Sequence, residues 1–312
     1  VYAVWDRLVA TGGGPTILAR SSDGGVSWEP ARVIYDPGVN SQTIGNVIVV
    51  LPTGELVNVF NRIDGGAGGT STSTVMVIRS TDKGVTWSMP IKVADLLAIG
   101  VKDPENGTPI RDGSILPQVA VSPSGSLFVV WADARFSGGA RDGIAISRSN
   151  DGGLTWSPPT QVNGNPSVPA FMPMVHVRAD GKVGVTYYDL RSNTASAATL
   201  LTDYWLARSD DATAWVENRV SGPFDLSTAP LANGLFLGDY MGLGSVGNVF
   251  VPLFVQTTGN LANRTDVISA PQTSATAAAA AFAPAVAAAP AQAAIARRAP
   301  VDFAPSSRFR QR

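Results

Sequence analysis

The groups in this chain that could do chemistry are carboxylates and guanidinium groups. None of the 312 residues is a cysteine, so thiolate chemistry and a disulfide framework are both excluded. The single histidine, His176, shares one face of a strand-like run with Met172 and Met174, which suits a core or inter-sheet histidine better than a ligand. No metal-ligand spacing appears, and no cofactor is expected. Two constellations remain. The first is the segment 95–114, a connection of roughly twenty residues where short ones are the norm. It carries Asp103, Glu105, Arg111 and Asp112, and Glu105 is one of only four glutamates. Charged groups on a loop are a common form of binding site, and a solvated surface loop is the alternative. The second is a recurrence: Arg62, Arg135 and Arg191 each follow an Asn or Asp by one or two residues, as Arg7 also does. Guanidinium offers a carboxylate a bidentate fork that lysine lacks, so these residues read either as an anion site or as repeated structural ion pairs.

The elements that must position these groups are announced by an internal repeat. Ser21-Ser-Asp23-Gly-Gly-Val-Ser-Trp28 is matched by the segments ending in Trp87 and Trp156, all of the form S-x-D-x-G-x-[ST]-W. A degenerate fourth copy runs from Ser209 through Asp211 to Trp215. The aspartates Asp23, Asp82, Asp151 and Asp211 are 59, 69 and 60 residues apart. In each copy the carboxylate can accept the turn's own N–H groups, glycine permits a positive φ, and tryptophan supplies packing area. A short run ending in arginine precedes each copy (Arg20, Arg79, Arg148, Arg208), and its recurrence marks those arginines as scaffold. Apolar runs with glycine turns between them lie upstream of the later copies, for example 46–51 and 56–60, 117–121 and 127–131, and 173–177 and 183–187. Four short strands in each sixty-residue period predict an all-β chain, a β-propeller of four-stranded antiparallel blades.

The repeated turns resemble the Asp boxes (BNR repeats) of the sialidase, or neuraminidase, superfamily over residues 1 to about 270. Trp131-Ala-Asp133-Ala-Arg135-Phe, Tyr188-Asp189-Leu-Arg191 and Phe236-Leu-Gly-Asp239-Tyr240-Met-Gly-Leu243 are similar to a bacterial secreted, sialidase-like group. The resemblance implies a six-bladed propeller, of which about five blades are counted here, the first and last partial, with at least one expected on the N-terminal side. It also implies an exo-α-sialidase-like glycoside hydrolase acting on terminal acidic sugars, or a non-catalytic propeller that binds glycan or protein through the same face. On the family's pattern Tyr240 would be the nucleophile, Glu105 its activating partner and Asp112 or Asp103 the acid/base. Arg62, Arg111, Arg135 and Arg191, with Asp133, Asp189 and Asp239, would bind substrate. Asp23, Asp82, Asp151, Asp211, Trp28, Trp87, Trp156 and Trp215 would be structural. The family's Phe/Tyr-Arg-Ile-Pro motif has no counterpart; Asn61-Arg62-Ile63-Asp64 comes nearest and lacks the proline.

A net charge of −1 gives no reason to expect a nucleic-acid partner. Long uncharged runs are broken by Pro, Gly or polar residues or dominated by Ala, so no membrane span is expected. A secreted or cell-surface location is expected from the resemblance alone, since no signal peptide is visible and the chain opens on Val1 inside a strand-like run. Residues 271–312, rich in Ala and Pro and carrying five Arg against one Asp, read as a disordered tail.

Overall fold

The computed structural model describes residues 1–7, 13–65 and 70–272, together with the backbone of 281–282. Its strands fall into five antiparallel sheets in chain order. The first holds β1 (Tyr2–Asp6), β2 (Thr16–Arg20) and β3 (Arg32–Tyr35). The second holds β4 (Ser41–Val50), β5 (Leu56–Gly65), β6 (Ser71–Ser80) and β7 (Ile91–Asp95). The third holds β8 (Gln118–Val121), β9 (Leu127–Asp133), β10 (Gly143–Ser149) and β11 (Thr160–Gln161). The fourth holds β12 (Ala170–Val177), β13 (Val183–Asp189), β14 (Leu201–Ser209) and β15 (Trp215–Asp225), and the fifth β16 (Gly242–Val246), β17 (Val249–Asn260) and β18 (Asn263–Ser269). A two-residue strand, β19 (Ala281–Phe282), pairs with the free edge of β15. The rest of the segment from 273 onward, read from sequence as a disordered tail, lies outside the described residues.

Each of the three central sheets is a simple meander of four consecutive strands, and the first strands β4, β8, β12 and β16 neighbour one another in order. That is the radial arrangement of a β-propeller. It explains why β9 (LFVVWAD) and β13 (VGVTYYD) are buried along their whole length. A second strand has a neighbouring sheet against both faces, so it reads as a continuous apolar run instead of an alternation. The core is accordingly split into layers between sheets. Val57, Val77, Val129 and Trp131 meet in one; Phe128, Ile146, Val185, Tyr187 and Trp215 in the next; Phe171, Tyr188, Tyr204 and Phe254 in a third. No helix among the described residues is long and apolar enough to cross a membrane.

The four repeated turns all lie between a third-type and a fourth-type strand: β2 and β3, β6 and β7, β10 and β11, β14 and β15. In the second of them Asp82 accepts the Thr86 N–H at 2.9 Å, the Thr86 hydroxyl at 2.6 Å and the Ser80 hydroxyl at 2.8 Å, while Ser80 Oγ accepts the Gly84 N–H at 2.8 Å. These hydrogen bonds hold Asp82 and Asp151 down at about 2 and lower Asp23 further. The copy with a deleted residue keeps only part of the pattern: Asp211 accepts Thr213 N–H at 2.9 Å. The tryptophans behave unequally, for Trp215 is fully buried while Trp28 is 44% exposed.

The arginine before each turn does more than pair within its own sheet. Arg20 donates to the Lys83 carbonyl at 2.9 Å, Arg79 to the Gly152 carbonyl at 2.7 Å and Arg148 to the Asp211 carbonyl at 3.1 Å. Each guanidinium thus staples its sheet to the turn of the next. Arg208, by contrast, bonds Asn218 of its own sheet.

Candidate functional site

The turns and staples occupy one end of the sheets. The opposite end gathers the hairpins between second and third strands and the connections between sheets. Both sequence constellations are found there, and the connections are built on buried carboxylates. An irregular segment needs acceptors for N–H groups that no ladder satisfies. Residues 97–101 find them in aspartates: Leu97 N–H donates to Asp133 (3.2 Å), Ile99 and Gly100 to the two oxygens of Asp142 (2.9 and 2.8 Å), and Val101 to Asp112. Asp112 also accepts Ser114 N–H at 3.1 Å, and Asp103 accepts Glu105 N–H at 2.9 Å in a tight turn. Asp103, Asp112, Asp133 and Asp142 are all buried, and the Glu105 side chain points to solvent. Burial raises Asp142 to about 7, with Asp112 and Asp133 adding to the rise and the two N–H bonds opposing it.

The three arginines singled out by their recurrence are each held by a carboxylate. Arg135 makes bonds of 2.8 Å through Nε and Nη2 to the two oxygens of Asp133, lies over Trp131, and donates to the Asp95 carbonyl. Trp131 Nε1 completes the set with a 2.7 Å bond to Asp133. The same device recurs one sheet later: Arg191 donates to Asp189 at 2.6 Å, stacks 3.6 Å over Trp205, and Trp205 Nε1 bonds Asp189 at 3.0 Å. Arg191 is further paired with Glu217 at 2.8 Å. Arg62 is paired with Asp64 at 2.9 Å and donates to the Tyr35 hydroxyl at 3.0 Å. Arg62, Arg135 and Arg191 are therefore each ion-paired within a different sheet. Glu217 also accepts Gly164 N–H at 3.0 Å.

Three of the sequence candidates do come together. The 96–117 connection meets the 226–241 connection through Arg111 N–H to the Leu235 carbonyl and Leu235 N–H to the Pro109 carbonyl, both 2.9 Å. This places Arg111 against Asp239 in a fork-to-fork pair, Nε–Oδ1 2.7 Å and Nη2–Oδ2 2.6 Å, with Phe236 4.6 Å beneath the guanidinium. Tyr240 follows, 66% exposed. Beside it is a shallow depression lined by Leu116, Gln118, Met172, Met174, Asp239 and Met241. The bulge that turns Met172 toward it, with φ +53°, lies between Phe171 and Met174 of β12. Partial burial, then the charges of Asp239 and Asp6, raise the Tyr240 phenol above its ordinary value, and Arg111 opposes them.

Sequence reasoning passed over Asp142, Asp6 and Trp205. Asp142 carried no signal beyond sitting one residue before a strand; Trp205 was detectable as an aromatic facing the Asp-x-Arg motif across the β13–β14 pair. His176 bonds Ser245 of β16 at 2.9 Å, between the fourth and fifth sheets, and burial lowers its pKa.

No protein-family model matches the chain. Among solved structures it is similar to a protein of unknown function from Dyadobacter fermentans, with a TM-score of 0.49 and 17% identity over 88% of this chain and 72% of that one. It is similar to an α-L-arabinanase of Penicillium chrysogenum complexed with arabinobiose, with a TM-score of 0.44 and 16% identity over 86% and 88%. It is also similar to the NanB sialidase of Streptococcus pneumoniae, with a TM-score of 0.45 and 13% identity over 82% of this chain and 35% of that longer one.

Proposed function

We propose that this chain is a glycan-binding β-propeller whose ligand face is the end bearing Tyr240, Asp239 and Arg111. The observation that carries the reading is the solvent-exposed Tyr240 ring, set at the edge of a shallow depression and beside a rigid ion pair. A flat aromatic surface bordered by fixed polar groups suits the C–H face and hydroxyl rim of a sugar ring. Hydrolysis of terminal acidic sugars by a sialidase mechanism is the second reading, favoured by the exposure of the same Tyr240. It would need the phenol activated by a carboxylate and three convergent arginines, whereas Arg62, Arg135 and Arg191 are ion-paired in separate sheets. A secreted or cell-surface location, and a partial blade at either end of the propeller, belong to the same proposal.

Binding of the full chain to an oligosaccharide array, beside the Tyr240→Ala variant, tests it. Loss of a stacked tyrosine is expected to weaken binding about tenfold or more. Wild-type protein that binds no oligosaccharide, or a Tyr240→Ala variant that binds equally well, overturns the reading. Release of fluorophore from an α-sialoside by wild type but not by Tyr240→Phe would establish the second.

A further inference from the structure

The charge pairing at this face says which sugars it admits, given the glycan-binding reading above. A sugar bearing a carboxylate or sulfate is held most strongly by an arginine fork. The Nε and Nη2 fork of Arg111 is filled by both oxygens of Asp239, the residue before Tyr240. The pair is buttressed: Phe236 lies under the guanidinium, and Arg111 N–H is tied to Leu235. An anionic ligand would have to displace an internal carboxylate that costs no association entropy to keep in place. Arg62, Arg135 and Arg191 at this end are likewise held, by Asp64, by Asp133, and by Asp189 with Glu217, and Arg141 and Arg264 are turned to the carbonyls of Pro166 and Thr228. The carboxylates of Asp239 and Asp6 both bear on the Tyr240 hydroxyl, with the Arg111 guanidinium opposing them. What the depression itself presents is the paired Asp239 carboxylate, the Gln118 amide, the phenol and methionine surface.

We propose that Asp239 is a specificity-determining residue: by filling the fork of Arg111 it makes the Tyr240 depression a site for uncharged sugar units and turns away sugars carrying a carboxylate or sulfate. Gln118 and the phenol then meet sugar hydroxyls, while Met172, Met174 and Met241 meet the ring's C–H surface.

The test is the full chain on an array that pairs neutral oligosaccharides with their sialylated, uronic-acid-bearing and sulfated counterparts, read at low and physiological salt. The expected result is a preference of about tenfold or more for the neutral member of a pair, because like charges brought together at a binding face are strongly disfavoured. In Asp239→Asn the preference should shrink, and salt-sensitive binding of the acidic members should appear. Acidic members bound as well as or better than neutral ones by wild type would overturn the proposal while leaving the glycan-binding reading intact. A folded Asp239→Asn variant with unchanged preference would overturn the role given to Asp239. If that variant fails to fold, the wild-type preference and its salt dependence still decide the neutral-sugar claim. Failure of wild type to bind any oligosaccharide overturns both readings together.

Discussion

Asp142 should make this protein more stable in mild acid than in mild base. Its carboxyl is nearly inaccessible and its pKa stands at about 7 against an ordinary value of 3.8. Between those two values the folded chain holds a proton that the unfolded chain has released. The stability associated with it is therefore fully present below about pH 4 and is lost as the pH rises through 7. The difference corresponds to about 4 kcal/mol by pH 8. For a domain of this size that is a fall in Tm of about 10 °C. Glu217, which burial also raises to about 7, acts in the same direction, although its carboxylate is ion-paired with Arg191. His176, lowered by burial, acts in the opposite sense below its ordinary 6.5. The Asp142→Asn variant isolates the one contribution. Asparagine keeps an acceptor for Ile99 or Gly100 but cannot ionise, so it should unfold somewhat more easily at pH 5 and show a distinctly flatter decline between pH 5 and 8. Urea titrations at four pH values measure both slopes. A wild-type stability that rises from pH 5 to 8, or an Asp142→Asn slope equal to that of wild type, would refute the reasoning.

Two further predictions concern the opposite end of the sheets. Arg79→Ala removes the 2.7 Å staple to the Gly152 carbonyl and the 3.3 Å pair with Glu55, from a side chain only 13% exposed, and should cost about 2 kcal/mol in urea unfolding. A loss no larger than that of an ordinary surface arginine would remove the staple from the account. Among the turn glycines, Gly84→Ala should be expensive and Gly24→Ala mild. Gly84 has φ +84° and a Cβ there would lie 3.2 Å from Leu18 and 3.3 Å from Leu56, whereas nothing lies within 4 Å of one on Gly24. Lys83, with φ +59°, already occupies in the second turn the place Gly24 holds in the first. The expected penalties are about 2–3 kcal/mol against about 1 kcal/mol or less, and equal midpoints for the two variants would contradict them.

The sequence made the sheets legible because their signals are local. A run such as Leu127–Trp131 bounded by glycine turns can be little else, and the structure extends it only to Asp133. The places where it reads short have a physical cause. β12 begins at Ala170 and not near Pro173, because a bulge at Met172 breaks the alternation that would have shown it. β17 runs on to Asn260, where polar residues replace the apolar pattern while the ladder continues. The repeated turns were equally plain, yet one of their consequences was not. The arginine before each turn could be recognised as scaffold from its recurrence, but its acceptor lies 63 or 73 residues further on, in the next sheet.

The same difference in range explains why the candidate site was only half legible. Asp133-x-Arg135 and Asp189-x-Arg191 look, as sequence, like groups offered to a ligand, and in the fold each closes on itself across two residues with a tryptophan as the third member. Arg111 has no aspartate partner of that kind; its fork is met by Asp239, 128 residues away, and only because two connections between sheets run together at Ile110 and Leu235. An arginine's type and neighbours therefore reveal that it can hold a carboxylate, but whether that carboxylate belongs to a ligand or to the chain is decided by connections that leave no periodic trace. On the specificity proposed above the distinction is the functional one: without Asp239, Arg111 beside Tyr240 would offer its fork to an acidic sugar, and with Asp239 in place that fork is filled by the chain itself.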